Sequence, residues 1–131
     1  MFPKEVEVIL ARHLASYLAM PIFIVDPVGN LVYYNESAEL ILGRRFDEAG
    51  EMDAAEWGTV FQPTDEEGVK LSSEVLPLMV TVHERRPAYR KFWIQGLDGV
   101  RRCIAVSALP LLGQSNRFLG AMGIFWEVDG T

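Results

Sequence analysis

The sequence of 131 residues has few of the residues that form disulfides and metal sites. Its single cysteine, Cys103, cannot form a disulfide within the chain, which fits a reducing compartment. Its two histidines, His13 and His83, lie far apart, and their spacing relative to the cysteine matches no common metal-ligand pattern. We therefore expect neither a disulfide framework nor a metal centre.

The sequence also lacks long apolar runs and an excess of basic residues. Its longest apolar runs fall far short of the ~18 residues that a membrane helix needs. The N-terminal residues 1–5 lack the basic stretch and following apolar stretch of a signal peptide. The formal net charge is −6, and no basic stripe suited to nucleic acid is visible. These absences predict a soluble, cytoplasmic protein that binds neither membrane nor nucleic acid.

No catalytic motif is recognisable in the sequence. None of its glycines stands in the spacing of a phosphate-binding loop. The acidic run Asp65–Glu67 has the loop context of a solvated surface segment. No cluster of polar residues suggests a buried site that would shift pKa values. We predict that the chain is not an enzyme.

The composition is that of an ordinary globular domain, with half of the residues hydrophobic and 23% charged. Residues 4–19 are predicted to form an amphipathic helix, because apolar side chains recur at three- and four-residue steps. Pro3 suits the first turn of this helix, and Pro21 prevents its continuation. The apolar stripe consists of Val6, Ile9, Leu10, His13, Leu14, Tyr17 and Leu18.

A strand hairpin followed by a short helix is predicted next. Residues 21–26 and 31–34 are apolar runs separated by turn-forming residues, which indicates two paired strands. Asn35 precedes a helix over 36–42, and its side-chain oxygen can accept a backbone N–H of the first turn. Gly43 then ends this helix.

The central part of the sequence favours helices, and the C-terminal part favours strands. Residues 54–61 are predicted to form a helical turn and residues 73–85 a helix, with Pro77 in its first turn. From residue 88 onward the apolar period changes to two. The strands predicted there are 89–96, 101–112 and 117–128. The element order predicts an α+β domain with a five-stranded antiparallel sheet.

Two halves of the sequence carry an ordered set of motifs. In the first half, an apolar strand ends in Asp26, a glycine turn leads to a strand ending in Asn35, and a short helix stops at Leu42–Gly43. In the second half, a Leu-Asp-Gly turn precedes two long strands. The motifs are Ile24–Ala38, Leu42–Gly43, Leu97–Gly99, Ile104–Leu111 and Gly120–Val128. In these motifs the sequence resembles PAS domains, above all the PAS modules attached to histidine kinases and diguanylate cyclases.

This resemblance implies the PAS fold, with helices over one face of the sheet and an N-terminal amphipathic helix. It divides the chain into the helix, residues 1–20, and a PAS core domain, residues 21–129. It also implies the function of a cytoplasmic sensory or signalling module, with another signalling protein as a candidate partner.

In PAS domains the strand residues alternate between an internal cavity and an outer face, and the resemblance sets this alternation here. It implies either that a small apolar ligand binds in the core or that side chains fill the core without a ligand. The small residues Ala108, Ala121 and Gly123 would leave room. The residues implied for the ligand site are Phe23, Val25, Leu76, Val80, Phe92, Ile94, Ile104, Val106 and Phe125.

The resemblance also argues against a cofactor. Flavin-binding light sensors of this family carry the string Asn-Cys-Arg-Phe-Leu-Gln, which is absent here, and Cys103 lies on a late strand. Haem-binding members supply a histidine from the long central helix. His83 is the one candidate, and it stands at the helix end beside charged residues. We expect no flavin, haem or metal.

Two apolar surfaces predict a homodimer. One is the helix stripe, and the other is the outer face of the sheet, which is too apolar to stand open to water. The helix could pack on its own sheet, on the partner's sheet or on the partner's helix. The predicted interface residues are Val6, Ile9, Leu10, Leu14, Tyr17, Trp93, Met122, Ile124 and Trp126.

A small α+β cone enzyme, similar to ketosteroid isomerase, is the competing interpretation. Such cones open with several helices before the sheet and need a buried acid with a tyrosine or aspartate partner. Here a hairpin comes early and the helices lie in the middle, which favours the sensory module. A cavity without an ionisable group would separate the two interpretations.

Overall fold

Five antiparallel strands form one sheet in the computed structural model, which describes residues 5–130. The strands are β1 (Ile22–Val25), β2 (Leu31–Tyr34), β3 (Ala88–Gln95), β4 (Arg101–Leu112) and β5 (Phe118–Glu127). Their order across the sheet is β2-β1-β5-β4-β3, so the early hairpin joins the last three strands through the pairing of β1 with β5. The predicted α+β class and antiparallel sheet are confirmed.

Helices pack on both faces of this sheet. They are α1 (Val6–Ala15), α2 (Glu36–Leu42), α3 (Phe46–Ala49), α4 (Ala54–Val60) and α5 (Pro77–Glu84), with short 3₁₀ turns at Ser73–Val75 and Gln114–Asn116. Side chains of α2, α4 and α5 share one apolar cluster with the inner face of the sheet. Side chains of α1 share a second cluster with the outer face. The short helix α3 was not predicted.

The junction between β2 and α2 follows the sequence prediction. The backbone of Asn35 is extended, and its side-chain oxygen accepts a hydrogen bond from the amide of Ala38 at 3.1 Å. Gly43 ends the helix with a φ of +82°, and a Cβ at this position would lie 2.5 Å from the backbone nitrogen of Asp98. Glycine is therefore required both by its backbone conformation and by the close approach of the chain. The predicted cap and helix end are confirmed.

The predicted single helix over 73–85 is wrong in its first part. Ser73–Val75 forms a 3₁₀ turn, Leu76 has an extended backbone with a ψ of 141°, and α5 begins only at Pro77. The ring of a proline clashes with the helical conformation of the residue before it. Leu76 therefore breaks the run into two pieces, and Pro77 occupies the first position of the second one, where its missing N–H costs nothing.

The predicted helix over 4–19 is shorter in the structure, because α1 ends at Ala15. The role predicted for Pro3 lies outside the described residues. Beyond α1, the carbonyls of Ala15 and Met20 accept hydrogen bonds from the side chain of Asn35. The amides of Tyr17 and Leu18 still donate to the carbonyls of Leu14 and Ala15 in a final turn, and the chain then leads into β1.

Strand side chains alternate between two apolar layers. The inner layer includes the small residues Ala108 and Ala121, which are fully buried, together with Phe125. The outer layer lies beneath α1 and includes Ile22 and Ile24. The predicted assignment of residues to the inner and outer faces is confirmed, since a strand sends successive side chains to opposite sides.

Candidate functional site

A cavity of about 60 Å³ lies between the inner face of the sheet and the helical segment that covers it. Strands β1, β3, β4 and β5 form its floor, and residues from α2, α4 and α5 and from the segments before α5 form its roof. The lining residues are Phe23, Leu42, Trp57, Phe61, Pro63, Leu76, Pro77, Leu78, Phe92, Ile94, Ile104, Val106, Gly123 and Phe125. All of these are apolar, so the cavity offers van der Waals contact and no charge.

Seven of the nine residues predicted for the ligand site line this cavity. They are Phe23, Leu76, Phe92, Ile94, Ile104, Val106 and Phe125. Val25 is fully buried in the same apolar cluster but does not reach the cavity. Val80 is half-buried and lies outside both apolar clusters. Only the first residues of α5, Pro77 and Leu78, face the cavity, and Val80 lies about half a turn beyond Leu78, on the other side of the helix.

Sequence reasoning missed most of the roof of the cavity. Leu42 was recognised only as the end of α2, and Trp57, Phe61 and Pro63 lie in a segment without a clear apolar period. The available signal was the presence of large apolar residues in an otherwise polar stretch. Their burial follows from the way α4 folds back over the sheet, with Asp53 capping it by accepting a hydrogen bond from the Glu56 amide at 2.8 Å.

Aromatic contacts fix the wall of the cavity near β1. The Phe23 ring stacks on Tyr34 with centroids 6.2 Å apart and meets Trp57 edge-on at 5.2 Å. The indole nitrogen of Trp57 donates a hydrogen bond to the carbonyl of Gly29 at 2.7 Å, so its polar atom already has a partner. The Tyr34 hydroxyl donates to the carbonyl of Arg44 at 2.8 Å. The polar atoms of this wall are thus engaged by the protein itself.

Among the titratable groups near this wall, the Tyr34 hydroxyl has the pKa that departs most from its ordinary value. Burial raises the pKa of Tyr34 to about 12, and the negative charge of Glu39 acts in the same direction. The cause is desolvation, since the phenolate would have to leave water to form here. This group therefore stays neutral under physiological conditions and serves packing and hydrogen bonding.

The cysteine and the histidines lie away from the cavity. Cys103 is buried on β4, where burial raises the pKa of its thiol, and it does not line the cavity. His83 is exposed in the last turn of α5, and His13 is exposed on α1. Within residues 5–130, no three histidine, cysteine, aspartate or glutamate side chains come close enough together to hold a metal ion.

The N-terminal helix contacts the outer face of its own sheet through a narrow strip of small and medium residues. Val8 and Ala15 are buried there, and Ala11 is half-buried against the same cluster. Arg12 lies beside them with its guanidinium 4.7 Å from the centre of the Tyr33 ring. These residues follow a step of three and four, so one face of α1 faces the sheet.

The apolar stripe predicted for this helix lies on the opposite, exposed face. The side chains of Leu10 and Leu14 are each 61% exposed, and Tyr17 is 80% exposed. Val6 and Ile9 are also exposed. One chain alone therefore leaves open the five helix residues that were predicted for a dimer interface.

The four predicted interface residues on the sheet divide into two pairs. Met122 and Ile124 are half-buried and pack against the outer cluster that α1 helps to cover. Trp93 is half-buried beyond this cluster, with the guanidinium of Arg101 5.1 Å from its ring centre, and Trp126 is 37% exposed beside Tyr89. The half of the outer face that carries β3 and the end of β5 is thus less covered than the half beneath α1.

Comparison with known proteins identifies the architecture. No family model and no curated protein matches the sequence. Solved structures do match: the PAS domain of BvgS from Bordetella pertussis superimposes with a TM-score of 0.57 at 15% identity, covering 93% of this chain and 85% of that one. The PAS domain of nitrogen regulation protein NR(II) from Vibrio parahaemolyticus gives 0.63 at 16%, covering 91% and 98%. The chain has the PAS fold.

A LOV protein from Rhodobacter sphaeroides shares this PAS fold with a TM-score of 0.74 at 12% identity, covering 95% of this chain and 69% of that one. At these identities the likeness concerns the fold, and the chemistry of the cavity has to be read from the residues of this chain. Among the described residues of the PAS fold, no helix is long and apolar enough to cross a membrane.

Proposed function

We propose that this chain is a sensory module of the PAS type that binds a small apolar ligand in its core and acts as a homodimer. The observation that carries the first part is the cavity of about 60 Å³ between sheet and helices, lined only by apolar residues. PAS domains of a nitrogen regulation protein and of a two-component sensor histidine kinase are among the structural neighbours of the chain, which supports a signalling role.

The size and lining of the cavity limit the ligand. An apolar cavity of roughly 150 Å³ in a protein core stays dry and takes up benzene or xenon. The cavity here is smaller, so a ligand of xenon size fits and a benzene ring requires movement of the walls. A ligand with a charge or an unsatisfied hydrogen-bond donor would lose its hydration without compensation. The ligand class is therefore a small neutral apolar molecule.

The small volume also supports the alternative function, a PAS interaction module whose side chains fill the core. Leu78 lies against Gly123, where an added Cβ would be only 3.3 Å from the leucine carbons. In this alternative the residual cavity is a packing defect, and the chain works through its surfaces alone.

A xenon titration followed by methyl NMR separates the two functions. Ligand binding predicts saturable shifts of the methyl groups of Ile94 and Ile104. Gly123→Ala, which adds a carbon beside Leu78, should weaken these shifts, whereas Val80→Ala, on the same helix but off the cavity, should leave them unchanged. Shifts that are absent, or that respond equally to both variants, would favour the filled core. Native mass spectrometry of protein from its host then identifies a retained ligand.

The proposed dimer rests on the exposed stripe of α1 and the less covered half of the outer face. Four apolar side chains on α1 and that of Tyr17 just beyond it are at least half exposed in a single chain, from 50% for Ile9 to 80% for Tyr17. The partner we infer is a second copy, because each chain carries both the exposed helix face and the less covered half of the outer sheet face around Trp93 and Trp126. Two copies related by a twofold axis can cover both surfaces at once.

Sedimentation of the protein at tens of micromolar tests this assembly without any ligand. We expect a dimer as the main species. A single monomer species would contradict the dimer and leave the proposed cavity untouched, so the two parts of the proposal can fail separately.

Further features of the proposed module follow from the same comparison and remain predictions. We propose an N-terminal region, residues 1–20, that carries the amphipathic helix α1, and a PAS core domain over 21–129, without enzymatic activity, in the cytoplasm, with a signalling protein as partner. We also propose that it binds no flavin and no haem. An absorbance spectrum of the purified protein with a flavin band or a Soret band would contradict the last point.

A further inference from the structure

The side chain of Asn35 lies at the point where α1, β1 and α2 meet. It is 1% exposed, so water does not compete for its hydrogen bonds. Its role as the cap of α2 accounts for one of these bonds. The others reach two further parts of the fold.

The amide of Asn35 uses its full hydrogen-bonding capacity. Its oxygen accepts from the backbone amides of Ile22 at 3.0 Å and Ala38 at 3.1 Å. Its nitrogen donates to the carbonyls of Ala15 at 2.9 Å and Met20 at 2.8 Å, with the carbonyl of Leu18 at 3.4 Å. An asparagine amide has two donors and two acceptor lone pairs, and all four are occupied here.

The partners on the nitrogen side belong to the end of α1 and the connection that follows it. The carbonyl of Ala15, at the end of α1, accepts the backbone amide of Leu18 at 3.1 Å as well as the side chain of Asn35. Other bonds that hold α1 are weaker, since Arg117 pairs with Glu5 at 3.2 Å and Glu7 at 3.3 Å through side chains that are 38–55% exposed. Asn35 is therefore the strongest polar attachment of α1 to the core among the described residues.

The partners on the oxygen side lead to the cavity. Ile22 is the first residue of β1, and the next residue, Phe23, lines the cavity. Ala38 lies in α2, whose last residue, Leu42, also lines it. A shift of either wall therefore acts on the side chain that holds α1.

We propose that Asn35 is a positioning residue that couples the docking of α1 to the cavity wall formed by β1 and α2. The coupling is reciprocal: whatever moves the wall changes the docking of α1, and undocking of α1 loosens the wall. Its use in signalling rests on the proposed function, but the hydrogen bonds of the coupling lie within a single chain, and the coupling can be measured without ligand.

Hydrogen exchange of three proteins tests the proposal. Asn35→Ser keeps a short acceptor that can cap α2 but removes the amide donors to Ala15 and Met20. We expect the amides of Tyr17 and Leu18 to exchange at least about tenfold faster, as loss of two buried hydrogen bonds implies, with β4 and β5 nearly unchanged. Asp53→Ala is the matched control, because it removes the cap of α4, which has no bond to α1.

Two results would overturn the coupling. One is exchange at Tyr17 and Leu18 that is unaffected by Asn35→Ser, or that rises equally throughout the sheet. The other is the same local rise in Asp53→Ala. If Asn35→Ser does not fold, hydrogen exchange of the wild type at increasing denaturant concentration tests the proposal instead. The amide of Ile22 should begin to exchange at the same denaturant concentration as those of Tyr17 and Leu18, and at a lower concentration than the amides of β4 and β5. Independent opening of Ile22 would contradict the proposal.

Discussion

The two faces of the sheet are both apolar, but they are covered in different ways. The inner face lies under helices that follow one another along the chain, and large residues such as Phe125 and Trp57 fill the space between. The outer face lies partly under α1, which touches it through Val8, Ala11 and Ala15. The helix that covers the outer face therefore leaves its larger apolar side chains outside. The more hydrophobic side of an amphipathic helix is not necessarily the side that its own domain buries.

Substitutions of two neighbouring residues of β5, one on each face of the sheet, should give the largest difference in stability between the two faces. Phe125→Ala should lower the free energy of unfolding by about 3–5 kcal/mol, because it leaves a hole beside the existing cavity. Trp126→Ala, on the partly exposed outer side, should lower it by about 1 kcal/mol or less. Urea unfolding measures both values in the same strand. Equal losses would mean that the two faces contribute alike to stability.

The exposed side of α1 is tested by the double substitution of Leu10→Glu and Leu14→Glu. Each buried leucine contributes roughly 1.5–3 kcal/mol, so the proposed dimer should weaken at least about hundredfold. Both side chains are 61% exposed in one chain, so the monomer should keep its fold. Sedimentation gives the first result and circular dichroism the second. As a control, Ala15→Glu, at the buried side of α1, should instead disturb the helix docking.

The inner wall should give the protein a pH dependence at high pH. The pKa of Tyr34 is raised from 10 to about 12 by burial, so the folded chain holds this proton more tightly than the unfolded chain. The stabilising contribution is complete below pH 10 and is lost as the pH rises through 12. Wild type should lose stability across this window relative to Tyr34→Phe, because only the wild type must ionise a buried hydroxyl. Parallel stability curves for the two proteins would contradict the shift.

A smaller effect is expected at the buried hydroxyl of Thr81 on α5. Thr81 is fully buried, and among the buried side chains of residues 5–130 its hydroxyl is the polar group without a hydrogen-bond partner. Thr81→Val keeps the shape and should raise the free energy of unfolding by about 1 kcal/mol. Thr59→Val is the matched control, since the Thr59 hydroxyl donates to the carbonyl of Ala55 at 2.8 Å on the surface. A gain in both variants would point to another cause.

Much of the fold was predictable because its signals are local. Short apolar runs bounded by turn residues identified the first two strands, alternation of apolar residues identified the last three, and Asn35 and Gly43 identified the ends of α2. The floor of the cavity followed from the resemblance to PAS domains, which set the phase of each strand. Pro77 disfavours a helical backbone at the residue before it, which alone would have predicted a break at Leu76. The prediction of one helix over 73–85 followed the apolar period instead, which continues across this position.

The remainder depended on contacts between distant parts of the chain. Trp57 and Phe61 line the cavity only because α4 folds over the sheet, and no period in their segment indicates that. Val80 and Leu76 are both apolar residues of the helix predicted over 73–85, so the sequence does not distinguish them. Val80 does not line the cavity, because only the start of α5 lies over it.

The sequence by itself determined the strands and the caps, since these follow from residue type and spacing, and its resemblance to PAS domains indicated which residues form the two apolar faces and the uncharged cavity floor. Only the tertiary structure decided which side of α1 touches the sheet, how little space the core retains, and how Asn35 joins three elements. The physical reason is that periodicity describes one element at a time. Packing and buried hydrogen bonds depend on which other element stands opposite, and that is set by the whole chain.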